Sequence, residues 1–108
     1  MSKKHLLFIC TENLDRSPTA ERLFLHSDKY EAKSAGTSPT ADTRLSASAL
    51  EWADIVFCME EKHKVYIEGA FPRYKNKEVH VLEIPDCYHE GSRNLIKLLE
   101  EKLKNYLN

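Results

Sequence analysis

Short apolar runs alternate with amphipathic segments along the whole chain, and few folds accommodate that order. Residues 5–9 form a largely apolar run after a charged start, as a strand covered on both faces requires. A polar loop follows, and Ser17-Pro18 reads as a helix start, with Ser17 as N-cap and Pro18 at the first helical position. Ala20, Leu23 and Phe24 give that helix an apolar stripe, and Glu21 puts negative charge in its first turn. Residues 29–34 read as a second strand ending at Ala35-Gly36, residues 38–43 as loop, and residues 46–52 as a short helix capped by Ser46. Residues 55–59 are a third buried strand. Residues 60–68 read as a helix ended by Gly69 and Pro72, residues 78–84 as a fourth strand stopped by Pro85, and residues 94–107 as an amphipathic closing helix.

Strand–helix alternation of this kind predicts an α/β three-layer sandwich, a parallel sheet of four strands with helices on both faces and right-handed crossovers. Ligands in such sheets bind beyond the carboxyl ends of the strands, where Cys10, Met59 and Asp86 fall. At 108 residues the chain is expected to form one domain, 1–108. A formal net charge of -1 argues against wrapping nucleic acid, which wants a strongly basic surface. The apolar run at the start is too short to span a membrane and lacks a signal-peptide pattern, so a cytoplasmic protein is expected. Three cysteines, Cys10, Cys58 and Cys87, then read as thiols and not as a disulfide framework.

The loop after the first strand carries the chemistry. Cys10 ends the strand, Thr11-Glu12-Asn13-Leu14-Asp15 follow, and Arg16 stands directly before the expected helix. A helix N-terminus offers unpaired N–H groups and the positive end of its dipole, and a tight loop leading into it turns further N–H groups toward an anion. Arg16 adds a planar fork that matches a phosphate bidentately. In that field the thiolate form of Cys10 is favoured and is aimed at phosphorus, with Ser17 placed to donate to the sulfur. The spacing alone is weak, because Cys87 and Arg93 repeat it. Context favours the first pair, which lies between a strand and a capped helix. On residue pattern alone, a small buried cysteine and a surface ion pair of Arg16 with Glu12 or Asp15 stay open beside the chemical reading. Likewise, Asp86 also reads as a turn residue and Tyr88 as partial core.

The stretch from Phe8 to Glu21, reading Phe-Ile-Cys-Thr-Glu-Asn-Leu-Asp-Arg-Ser-Pro-Thr-Ala-Glu, resembles the signature of low-molecular-weight protein tyrosine phosphatases. It is closer still to a short bacterial and archaeal branch of predicted phosphatases. Ser34-Ala-Gly-Thr37, Ala53 to Met59 and Ile84-Pro-Asp-Cys-Tyr88 resemble further family motifs in the family's order. The resemblance implies a phosphomonoesterase that hydrolyses phosphotyrosine or small aryl phosphates, free or on a phosphorylated protein, without a cofactor. Cys10 would form a phosphocysteine, Arg16 would bind the equatorial oxygens, and Asp86 would protonate the leaving group and then activate water. Asn13 would hold an unusual backbone conformation supported by Ser34, and Tyr88 would wall the substrate ring. The loop residues Thr11, Glu12, Asn13, Leu14, Asp15 and Ser17 would bind the phosphate.

Four departures from the family pattern stand out. Glu12 occupies a position that is often glycine, which is tolerable only without positive φ. Asp15 replaces a second cysteine, so a protective disulfide with Cys10 cannot form there. These two carboxylates should weaken anion binding. The short span from Gly36 to Arg44 lacks a helix and specificity segment that longer relatives have there and leaves a more open pocket, with Arg44 either matching a basic residue after that segment or plain surface. Cys87 stands in place of proline and is either a redox partner for Cys10 or a partly buried thiol. Two other readings follow: a module that binds phosphate or phosphopeptide without turnover, and a thiol-dependent arsenate reductase. The wide separation of Cys58 and Cys87 counts against the second. No CxxC or HxxxH spacing points to a metal. His5, His26, His63, His80 and His89 are expected mostly at the surface, with His89 bordering the pocket. Cys58 is expected in the core, and Leu50 and Trp52 are expected to pack a helix on the sheet.

Overall fold

The computed structural model describes residues 2–107. Four strands, β1 (Lys4–Cys10), β2 (Tyr30–Gly36), β3 (Ile55–Cys58) and β4 (Val79–Val81), make one parallel sheet in the order β2-β1-β3-β4. Helices α1 (Arg16–Arg22), α2 (Ala47–Trp52), α3 (Glu61–Ala70) and α4 (Arg93–Leu103) fill the connections. Among the described residues no helix is long and apolar enough to cross a membrane.

Side chains alternate across the sheet with the period of two that a strand imposes. Leu6, Phe8 and Cys10 face one way, with Ile55, Phe57 and Met59, and meet Ala20 of α1 and Leu95, Leu99 and Leu103 of α4. Leu7 and Ile9 face the other way, with Val56 and Cys58, and meet Leu50 of α2 and Ile67 of α3. Trp52 packs partly buried on this second cluster and stacks on His5 with ring centroids 4.2 Å apart. The three layers are thus two helical layers on one sheet. β1 is buried on both faces and flanked on both edges, so its end is firmly held.

Chain direction reverses beside β1, with β2 on one side and β3 on the other. In open parallel sheets, this reversal leaves a crevice beyond the strand ends. Cys10 ends β1 there, and Met59 and Glu60 follow β3 there.

Two elements and one side chain differ from expectation. Helix α1 begins at Arg16, with Asp15 at its N-cap, so Ser17 lies inside the helix and Pro18 at its third position. Ser17 cannot cap because its hydroxyl is engaged elsewhere, and proline is tolerated in a first turn whose N–H groups have no helical acceptor. β4 is shorter than residues 78–84, because Glu83 takes a left-handed φ of 58°. His63 is not a surface residue; it is 0% exposed.

Candidate active site

Cys10 pairs with Gly36 across the β1–β2 ladder and is 3% exposed. The loop leaves the sheet beside that glycine. A Cβ at Gly36 would lie 2.4 Å from the Thr11 carbonyl oxygen, so only glycine lets the loop pass this close. Backbone bonds from Thr37 to Cys10, Ser38 to Thr11 and Asp42 to Glu12, each donated by the first residue's N–H, hold the loop against the β2–α2 connection.

Ser17 places its oxygen 2.9 Å from the Cys10 sulfur. Asn13 Nδ2 donates to that same oxygen at 2.8 Å, which leaves the serine's own proton directed at the sulfur. A hydroxyl donating to sulfur stabilises the thiolate. Asn13 has φ of 60° and is buried, so the strained loop residue is the one whose type tolerates it. Glu12 is outside the positive-φ set, which accounts for the absence of glycine there. Its carboxylate accepts from the Thr40 hydroxyl at 3.0 Å. Among the described residues, the N–H groups of residues 11–17 donate to no protein acceptor, as a loop shaped to receive an anion requires.

Arg16 is 2% exposed, and its planar group is fixed by three neighbours. Nη1 donates to Glu60 Oε2 at 2.5 Å and to the Ile84 carbonyl at 2.8 Å, and Nε lies 3.7 Å from Asp86 Oδ1. The bond from Arg16 holds the Glu60 carboxyl below the usual carboxylate range, against the opposing effect of burial. Glu60 caps α3, and its side chain accepts from the His63 backbone while His63 Nδ1 accepts from the Glu60 N–H at 3.0 Å. His63 Nε2 reaches Thr11 Oγ1 at 2.9 Å. Burial first, and the charge of Arg16 second, push the His63 pKa down to about 4.

Residues 85–92 form an arm over this cradle. Pro85, Asp86 and Cys87 are exposed, with the Asp86 side chain 64% so. Both ends of the arm are tied down. At the start, the Ile84 N–H donates to the Met59 carbonyl at 2.7 Å, and the turn at Glu83 aims the Ile84 carbonyl at Arg16. At the far end, the Glu90 N–H donates to Asp15 Oδ1 and the Gly91 N–H to Thr19 Oγ1, both at 2.9 Å, and Arg22 pairs with Glu90. Asp15 thus anchors the arm. Cys10, Glu12, Leu14, Asp15, Arg16 and Asp86 line a cavity of about 90 Å³. That is the volume of about three waters, a size that suits a small oxyanion.

The expected site residues therefore assemble in part around one cavity. Tyr88 packs partly buried on the cluster that holds Phe8 and Leu95, away from the lining. Ser34 donates to Glu21 Oε1 at 2.5 Å, while the Asn13 amide goes to Ser17, so serine support for Asn13 comes from Ser17 here. Arg44 is exposed and forms an isolated bridge with Gly36. Cys58 is 0% exposed and burial pushes its thiol up to about 12, which makes it inert core. Glu60 and His63 were absent from the expected site. The signal for them was a carboxylate and a histidine three apart at a helix start, immediately after a central strand.

A strand–loop–helix cradle for an oxyanion, holding a thiol and a buried guanidinium on a parallel sheet, defines a class of α/β proteins built around a reactive cysteine. The sequence model described as low molecular weight phosphotyrosine protein phosphatase matches residues 5–53. Over that stretch the chain is similar to this family. The tyrosine phosphatase Wzb from Escherichia coli K30, solved with phosphate, is similar at 25% identity and TM-score 0.77, over 97% of this chain and 96% of that one. The low molecular weight protein tyrosine phosphatase from T. tengcongensis is similar at 26% identity and TM-score 0.74, over 97% and 100%. A protein tyrosine phosphatase from Entamoeba histolytica is similar at 25% identity and TM-score 0.77, over 95% and 92%. A comparison with curated protein sequences found no match.

Proposed function

We propose that this protein hydrolyses phosphate monoesters of phenols, phosphotyrosine or small aryl phosphates, through a phosphocysteine on Cys10. The observation that carries this reading is the Cys10 sulfur 2.9 Å from a serine hydroxyl in a small cavity that Arg16 also lines. The thiolate attacks phosphorus in line and the P–O bond to the phenol breaks. Arg16 and the loop N–H groups hold the equatorial oxygens as charge redistributes. Asp86 gives its proton to the leaving phenolate, then takes one from the water that cleaves the S–P bond and releases phosphate. Its exposure and its 3.7 Å approach to Arg16 suit a group that meets substrate from the solvent side.

A binding module without turnover is the second reading, and the cavity wall favours it, because Glu12, Asp15 and Asp86 all stand on it. Arsenate reduction is disfavoured by the burial of Cys58. The test is hydrolysis of p-nitrophenyl phosphate, expected to resist EDTA and to be blocked by vanadate. Asp86→Ala should slow phosphates of poor leaving groups about 100-fold and good ones far less. Binding of a phosphotyrosine peptide with no hydrolysis at any pH would establish the module instead, and equal slowing of all leaving groups would remove Asp86 from the acid role.

A further inference from the structure

Thr11 and Arg16 stand at the two ends of the anion loop, and both are tied to one turn of α3. Thr11 Oγ1 meets His63 Nε2 at 2.9 Å, and Arg16 Nη1 meets Glu60 Oε2 at 2.5 Å. Glu60 and His63 hold each other through reciprocal bonds between side chain and backbone. These four residues form a closed circuit whose only fully buried titratable imidazole is His63 among the described residues. His63 reaches no atom that line the cavity directly, so its effect runs through Thr11 and Glu60.

The network settles the tautomer. Nδ1 faces the Glu60 N–H and must accept, so the ring proton sits on Nε2 and is donated to Thr11. A second proton would set two donors against each other at Nδ1. We propose that His63, in its Nε2–H form, is a positioning residue that braces both ends of the anion loop against the first turn of α3, keeping Arg16 and the loop amides in place around a bound phosphoryl group. The brace rests on the phosphatase reading and deepens it.

The charges around the ring favour the neutral form. Arg16 from α1 and Lys62 from α3 oppose protonation, Glu60 from α3 and Asp86 from the arm favour it, and burial opposes it most. The brace therefore holds at neutral pH and is lost in acid. A histidine that merely filled space would tolerate loss of its ring nitrogens without moving anion affinity.

Four variants and one spectrum test this. Nitrogen-resolved NMR of the wild-type imidazole should show a neutral ring protonated on Nε2 at pH 7. His63→Asn keeps an acceptor for the Glu60 N–H and gives up Thr11, and Thr11→Val removes the other partner. Each should weaken vanadate inhibition about five- to ten-fold, the worth of one buried hydrogen bond. The double variant should lose no more than the weaker single, and His63→Gln, which can reach Thr11, should recover part. A proton on Nδ1, unchanged vanadate affinity in both singles, or a double variant whose losses multiply overturns the brace. If His63→Asn does not fold, Thr11→Val and the spectrum still decide. A wild type that binds no vanadate and turns nothing over overturns the phosphatase reading and the brace together. An active wild type with unaffected variants overturns the brace alone.

Discussion

Two stretches of this chain place a cysteine six residues before an arginine that opens a helix, Cys10–Arg16 before α1 and Cys87–Arg93 before α4. Cys10 ends a strand that has neighbours on both edges, whereas Cys87 lies in an exposed arm after the edge strand β4. Arg16 is 2% exposed and held by a carboxylate and a carbonyl, whereas Arg93 is exposed. The helix starts differ too. Ser92 caps α4 by accepting from the Leu95 N–H at 3.2 Å, while Asp15 makes no capping bond to α1 and spends its carboxylate on Glu90. One helix start is thus closed by its own sequence and the other is left open for a ligand. The same spacing yields chemistry only where a rigid strand end, a buried guanidinium and unspent N–H groups coincide.

The contrast can be broken most directly at the sulfurs. Cys10→Ser should lower kcat for p-nitrophenyl phosphate by at least about 1,000-fold, and Cys87→Ser should stay within about two-fold of wild type, as exposed substitutions do. The reverse outcome would move the site to the second stretch. At the arginines, Arg16→Lys should cost about 100-fold in kcat, since an ammonium cannot replace a planar fork on phosphate, while Arg93→Lys should change little. Equal losses at both would show that bulk positive charge, not geometry, does the binding.

Acid sharpens the comparison, because only the first arginine is wired to a buried histidine. The folded pKa of His63 is pushed down to about 4 from an ordinary 6.5, so the native state refuses a proton that the unfolded chain accepts. Stability is fully present above pH 6.5 and falls as pH drops toward 4, by about 3 kcal/mol in all. Glu60, also lowered, adds a loss in the same direction at the acid end. Urea unfolding at pH 7 and near pH 4.5 measures this, and His63→Asn should flatten the difference. A wild type equally stable at both pH values would show that His63 is not held neutral.

Much of this architecture was legible from local pattern. Burial of β1 on both faces, the capping serine of α2 and the strand–loop–helix around Cys10 depend on neighbours in sequence, and the apolar order predicted them. The start of α1 was misread at Ser17, because a serine before a proline satisfies every local rule for a cap. Cys10 and Asn13 claimed its hydroxyl instead. Ser34 was placed beside Asn13 by resemblance, and its bond to Glu21 depends on how β2 meets α1. Glu60 and His63 carry only a weak local sign, a carboxylate and a histidine three apart, since a polar helix start after a strand is ordinary.

By itself the sequence determined the alternation of elements, hence a parallel sheet, hence the end of β1 as the place for Cys10 and its loop. Those are consequences of hydrophobic period and backbone preference, which act within a few residues. Tertiary structure alone decided that Glu60, 44 positions away from Arg16, would clamp it, and that His63, 52 away from Thr11, would hold the loop. It also decided that Asp15 would anchor the arm at Glu90. A hydrogen bond between distant residues exists only after the sheet brings strand ends together, because chain closure is paid by the burial of the sheet and not by the bond itself.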